Sequence, residues 1–384
     1  PDGGPDWHFF DTPTPGASNT TPAYLKAQVP EFSLESGFYT EYQLLEIRSS
    51  EPGITIRYTL NWYDPETSTP VYTEAILLQS RIGEANVFSE IRTNRDPFHW
   101  LPDWVPPDGE VFKANVVRAR AFRAGYDPSD VVTMTCFVDA DIHQRYATLP
   151  VISIVSDYRH LFDYNSGIYV PGATHVTGVE ESGNYFQDWE KPAHITYIEP
   201  GGQVGFEQDV AIRIQGGSSP ASPQKGLHII ARSTYGKNRI NYPIFQDDPS
   251  KANELTEFKR FIIRAWGSLI TGSLFNDAYA HRLMARSDLD IQAYQPAVVF
   301  INGEYWGLHE LREANKNPWY FQYHHGIDRE DPGVDILQHT YYNGQPYAEV
   351  DEGDAIHWNN MMSFIRTNDM AQPGNYAYLK TQMD

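Results

Sequence analysis

The sequence predicts a multidomain protein, an all-β sandwich followed by an α+β domain. Three observations point there. Before about Ala140, apolar residues alternate with polar ones in short runs divided by turn residues, as in GITIRYTL and NVVRARAFRAG. After that point such runs mix with a segment of helical spacing, SLFNDAYAHRLMAR. The chain has 384 residues of which 41% are hydrophobic, enough for two or three domains with a sizeable core. The boundaries read as 1–30 for a linker or the tail of an upstream module, 31–140 for the sandwich and 141–384 for the α+β domain.

Residues 1–30 are rich in Pro, Gly, Ser and Thr, the composition of a linker. The run Trp7-His8-Phe9-Phe10 is unusual for a free linker and is expected to dock on a domain. The sandwich strands are expected in GITIRYTL, AILLQS, NVVRARAFRAG and DVVTMTCFV, with turns at Glu51-Pro52-Gly53 and Asp127-Pro128-Ser129. Trp100 and Trp104, in the loop FHWLPDWVPP, have two readings: a sugar-stacking platform, or rings packed on their own domain's edge.

In the α+β domain, LPVISIVS reads as a buried strand. AHITYIEPGG and FEQDVAIRIQGG form a hairpin turning at Glu199-Pro200-Gly201-Gly202. Leu274, Phe275, Ala278, Tyr279 and Leu283 recur at helical spacing. AVVFINGEYWGLHELRE is a second hairpin, turning at Asn302-Gly303, and DAIHWNNMMSFIRT is a late amphipathic helix.

A net charge of -21 argues against nucleic-acid or anionic-membrane binding, since both need basic surface. There is no signal peptide or transmembrane run, and the start at Pro1 reads as a piece of something longer. Cys136 is the single cysteine, in the apolar alternation VVTMTCFV, so it is expected to be a buried thiol. Asn19-Thr20-Thr21 is a glycosylation sequon.

The stretch Ala211–Gly236, AIRIQGGSSPASPQKGLHIIARSTYG, reads as strand, tight polar loop, strand. Gly216 and Gly217 tolerate positive φ, Ser218 and Ser219 add small hydroxyls, and Lys225 stands at the re-entry. Such a loop is a surface hairpin with a solvated lysine, or a cradle whose N–H groups and lysine face an anion. It is no Walker loop, and no G-x-G-x-x-G is present in it.

From about Thr148 the chain resembles the CotH kinase-like family of secreted and spore-coat proteins. The resemblance is carried by LPVISIV with LFDYNSGIYVPG, then IRIQGGSSPASPQKGLHIIARSTYG, FKRFIIRAWGS, FNDAYAHRLMA and VVFINGEYWGLHELREANK, in that order. FSLESGFY, ITIRYTLNW and VVRARAFRAGYDPSDVVTMTCFV resemble a chitobiase C-terminal-like, fibronectin-type-III-like module. FFDTPTPGASN resembles the end of a lamin-tail-like module.

The resemblance implies an atypical kinase fold that binds ATP with Mg or Mn and phosphorylates protein hydroxyls outside the cell. It implies a secreted or cell-surface location, with a protein substrate or a cell-surface or matrix partner. It places Arg213, Gly216, Gly217, Ser218, Ser219 and Lys225 on the phosphate side. Glu313 would serve as a metal ligand or pair with Lys225; its bland reading is a surface charge beside Arg312 and Lys316. Arg264 is a second phosphate ligand or a structural ion-pair partner, and the structural role is preferred.

The sequence departs from the family's pattern at Pro220, Gly226 and Leu269, and the family's downstream acidic segments are not within the 384 residues. The alternative is therefore a non-catalytic extracellular structural or adhesion protein on the same fold, or a carbohydrate-associated module. His324-His325, with Asp328, Glu330, Asp331 and Asp335 nearby, is a poor chelator because adjacent side chains diverge; it reads as a solvated loop. No G-x-S-x-G, H-E-x-x-H or EF-hand pattern occurs.

Overall fold

A computed structural model of the chain describes residues 25–98, 100–248, 255–265, 275–287, 289–328, 334–342 and 345–383. The readings made above for residues 1–24, Leu269, Leu274, Glu330 and Asp331 fall outside them. The protein is mostly β with few helices, and none of the described helices is long and apolar enough to cross a membrane. It divides into a compact unit ending at Arg312 and a second beginning at Glu313.

All four expected sandwich runs form strands: Thr55–Thr59, Ile76–Leu78, Asn115–Phe122 and Val132–Val138. A four-stranded sheet carries three of them with Gly37–Tyr39, which pairs in parallel with Val132–Val138. Gln43–Leu45 and Ile76–Leu78 pair as a smaller second layer. Between the layers lie Leu45, Ile76, Leu78, Val117, Ala119, Met134 and the buried thiol of Cys136. Burial pushes that thiol up to about 12, so it stays protonated and inert at neutral pH.

The opposite face of the four-stranded sheet is covered as well. Phe137 and Phe38 meet Val151, Ile198, Val298 and Phe300 in one apolar cluster. Thr135 Oγ1 lies 2.9 Å from Ser153 Oγ in the same buried seam. Val132–Val138 is therefore buried on both faces, one toward the sandwich and one toward the next domain. The link between the two is the short helix Ile142–Arg145.

That next domain is built on seven strands closed into a barrel. Their order is Lys191–Ile198, Val204–Gln215, Gly226–Ile230, Arg260–Arg264, Glu304–Glu313, Tyr294–Ile301 and Val151–Val155. All the neighbouring pairs whose register is described are antiparallel except one. Val151–Val155 runs parallel to Tyr294–Ile301 and closes the ring against Lys191–Ile198. The Asn302-Gly303 turn has φ of 50° and 83°, both positive, as the tight hairpin demands. One face of these strands presents Ile154, Ile195, Ile212, Ile214, Leu227, Ile229, Phe261 and Ile263 to the main core, under Tyr169 and Tyr185.

The helix expected around Asn276 spans Asn276–Met284. The unit beginning at Glu313 contains helix Pro318–His325, hairpin Ile336–Tyr342 with Gln345–Glu352, and helices Ile356–Thr367 and Pro373–Thr381. His324 and His325 thus end a helix capped by Gly326 at φ 65°; they are not in a solvated loop. The Asn317 side chain accepts from the N–H of Trp319, with Pro318 at the first helical position, a start signal present in the sequence.

Candidate nucleotide site

The loop between Val204–Gln215 and Gly226–Ile230 opens on Gly216 at φ 119°, where a Cβ would lie 2.0 Å from Ser219 Oγ. Only glycine permits that bend. Gly216, Gly217 and Ser219 are exposed and Ser218 is half-buried. The loop then tightens into the turn Ser219–Ala221, where Pro220, Ala221 and Ser222 are buried. Two side chains from an upstream segment clasp it from outside: Asn94 Nδ2 donates to the Ala221 carbonyl at 2.9 Å and Thr93 Oγ1 to the Pro223 carbonyl at 2.6 Å.

Lys225 faces inward. Its backbone N–H donates to the Tyr169 hydroxyl at 2.8 Å, and its Nζ donates to the carbonyls of Pro220 at 2.7 Å and Ser222 at 2.8 Å. The ammonium sits 4.0 Å above the Tyr185 ring and 5.5 Å from that of Tyr169. Complete burial pushes its pKa well below the usual lysine range. In this conformation the lysine braces the loop, and its cation is turned away from solvent anions.

Arg213, directly across from His228 in the strand pair, is half-buried, with Nη1 3.6 Å from Asp188 Oδ1. Among the described residues, the Arg213 Nε and the His228 Nδ1 are both buried without a hydrogen-bond partner. Burial, together with the nearby charges of Arg213 and Arg260, pushes His228 down to about 3. These residues lie on the face opposite Ile212, Ile214, Leu227 and Ile229.

Farther along that face is a charged cluster. Asp277, in the first turn of helix Asn276–Met284, pairs with Arg264 of strand Arg260–Arg264. Its Oδ2 also lies 3.0 Å from Nη2 of Arg312, a fully buried guanidinium on strand Glu304–Glu313. Two residues before Arg312 on the same face stands Glu310. Both of its carboxylate oxygens are buried without a hydrogen-bond partner among the described residues, as are Nε and Nη1 of Arg312. Burial raises the Glu310 pKa, against the opposing pull of Arg312 and Arg264.

The strand-cation to helix-carboxylate pair that the resemblance suggested for Lys225 and Glu313 is thus built from Arg264, Arg312 and Asp277. The Glu313 carboxylate is buried and lies 2.6 Å from Nε2 of half-buried His324, so it is no surface charge. Arg264 forms the ion pair that one of its two sequence readings expected, with its guanidinium on the face of the charged cluster. Glu310 was not singled out there. The alternation in GLHELRE, which puts Glu310 and Arg312 on one face, was the available signal.

Trp100 is 45% exposed and stacks on Phe98 at 5.7 Å, while Trp104 is half-buried with its backbone N–H on Asn94. Trp100 is thus packed against a ring of its own loop.

Residues 212–384 match the family model described as CotH kinase protein, and residues 45–136 match the one described as Fn3 associated. Both agree with the resemblances read in the sequence. A comparison with curated proteins finds no match.

Proposed function

We propose that this CotH-type, kinase-related chain with its Fn3-associated module is a phosphotransferase that binds ATP with Mg or Mn and phosphorylates protein hydroxyls at the cell surface or outside the cell. The observation that carries this reading is the cluster of Arg264, Arg312 and Asp277 beside the unpartnered oxygens of Glu310. Phosphoryl transfer needs fixed cations on phosphate oxygens and carboxylates on the metal. Kinases hold their phosphate-binding strand lysine with a helix carboxylate. Here a strand arginine and a helix aspartate take that arrangement. A buried carboxylate and guanidinium with open hydrogen-bonding capacity are costly unless something satisfies them, and a metal-bound phosphate is of the right chemistry.

The order of elements supports the same reading. A hairpin with a glycine loop, further strands, one helix and a second hairpin follow one another as in the small lobe of a kinase. On this reading Arg213 and the N–H groups of Gly216 to Ser219 meet the phosphates, and Lys225 joins them only when the loop turns it outward. ATP would supply the phosphoryl group and the metal would offset its charge. The residues named here bind and orient.

A second reading, a non-catalytic structural or adhesion protein on this fold, is favoured by one observation. Lys225 is held inward by two carbonyls, with no carboxylate to draw it out. Transfer of labelled γ-phosphate to the protein itself and to a hydroxyl-rich protein acceptor, with Mn, separates the two. Transfer that falls at least tenfold in Arg264→Ala and Glu310→Gln supports the phosphotransferase, the size expected when a positioned charge is lost. Absence of transfer, with no change in melting temperature on adding ATP and Mn, supports the structural protein.

A further inference from the structure

A well-formed cavity lies far from the loop and the charged cluster in sequence, in the Fn3-associated region. It has a volume of about 560 Å³ and is shaped by two turns, 59–63 and 66–69, with Arg159 forming one wall. That volume is in the range that holds a small-molecule ligand.

The cavity is built rather than incidental. Thr59 is buried and its hydroxyl donates to the carbonyls of Asn61 at 3.2 Å and Tyr63 at 2.8 Å. The Thr69 hydroxyl braces the second turn on the Glu66 carbonyl at 2.9 Å. The N–H of Asp64 is anchored on the buried carboxylate of Asp157 at 2.9 Å. Arg159 grips the same carboxylate at 2.8 Å and reaches Glu66 at 3.1 Å. A pocket fixed this way loses little entropy when it binds.

Its lining selects the ligand class. Three charged side chains line it, Asp64, Glu66 and Arg159, which disfavours an anion. Asp64 is paired with Arg118, and Glu66 and Asp157 share Arg159, so each carboxylate at the pocket already has a cationic partner. Asn61 has its amide oxygen fixed by the N–H of Tyr63 at 3.2 Å, which leaves the amide NH₂ to be offered outward. The Ser68 hydroxyl and the Tyr58 and Tyr63 hydroxyls make no hydrogen bond to the described protein, so an apolar ligand would strand them. Tyr63 is 40% exposed, its ring 6.2 Å from that of Trp62 and 6.0 Å from that of Tyr158, an aromatic surface at the pocket's edge.

A neutral molecule with apolar C–H faces and many hydroxyls fits every one of these conditions. We propose that this pocket binds a neutral oligosaccharide, with a sugar face on Tyr63 and hydroxyls on Asn61, Ser68 and the Glu66–Arg159 pair. The site is independent of nucleotide binding and differs from the Trp100 and Trp104 loop.

The test uses the intact chain and chito-, cello-, xylo- and malto-oligosaccharides. The readouts are calorimetry and the fluorescence of Trp62, whose ring is 6.2 Å from that of Tyr63. At least one series should bind saturably. Tyr63→Ala should weaken binding about three- to tenfold, the range expected for a lost aromatic stack. Asn61→Ala should weaken it by a similar factor, and Trp104→Ala should leave it unchanged. Ser68→Ala serves as a further probe should Tyr63→Ala melt early. No binding by any of the four series up to about 10 mM, a very weak affinity, would overturn the proposal. So would binding that Tyr63→Ala, Asn61→Ala and Ser68→Ala all leave intact.

Discussion

Replacing Lys225 with Met tests whether the lysine is a brace, as the geometry shows. The substitution removes two charge-assisted hydrogen bonds, at 2.7 and 2.8 Å, to the Pro220 and Ser222 carbonyls. Each contributes about 1.5–3 kcal/mol. Against this, an ammonium buried without a carboxylate costs several kcal/mol of lost hydration, which Met does not incur. The two nearly cancel, so at pH 7 Lys225→Met should differ from the wild type by no more than about 2 kcal/mol. The pH dependence is more telling. The folded lysine has a depressed pKa, whereas the unfolded one keeps its proton up to about 10.4. Between those points the unfolded state binds more protons, so wild-type stability rises with pH, and Lys225→Met lacks that rise. Urea melts of both proteins at pH 7 and at about pH 9.5 measure it, and subtracting one from the other cancels the titrating tyrosines. The wild type should gain on the variant as pH rises. A difference that stays constant would refute the inward placement of the ammonium.

Two further outcomes follow from buried charges. The Glu304 carboxylate accepts from the N–H groups of Val87, Phe88 and Ser89 and from the Ser89 hydroxyl, pinning the upstream segment to the barrel hairpin. Glu304→Ala should therefore cost about 3–5 kcal/mol, as when one side of a buried charged contact is removed, and lower the melting temperature by about 10 °C; a drop under about 2 °C in a thermal scan contradicts the pinning. His194 is desolvated by burial, which lowers its pKa, but its bond to Asp209, at 2.8 Å, and the carboxylate of Glu207, 3.9 Å from Nε2, outweigh this and raise it. Its stabilisation is present below the unfolded value of about 6.5 and lost as pH rises through the folded one. Melting curves should show His194→Gln losing more stability at about pH 5.5 than at about pH 8.5, and the reverse order contradicts the imidazolium pairing.

Much of the fold was legible because local patterns carried it. The run VVTMTCFV, the Asn302-Gly303 turn and the helix at Asn276 each announce themselves through alternation, turn chemistry or 3.6-residue spacing. Barrel closure was not legible. It depends on Val151–Val155 pairing in parallel with Tyr294–Ile301, more than 130 residues away, and no local pattern encodes such a partner. For the same reason Val132–Val138 read as a sandwich strand, whereas its second face is covered by Val151, Val298 and Phe300.

The candidate site divides in the same way. Gly216 is readable because its backbone excludes a side chain. Lys225 is not: its direction is set by Tyr169 and Tyr185, brought over the loop from another part of the chain. Asp277 and Arg312, 35 residues apart, acquire meaning only once the helix lies on the sheet.

The most direct test is titration of ATP with Mn into the intact protein, at low and high salt, for the wild type, Lys225→Ala and Arg264→Ala. The account predicts weak binding, around the millimolar range for a few charge-assisted contacts. It should be reduced by salt, lost in Arg264→Ala and lost in Lys225→Ala if the loop releases the lysine to the phosphates. Equal binding by all three proteins, or none at any salt with the proteins folded, would contradict it.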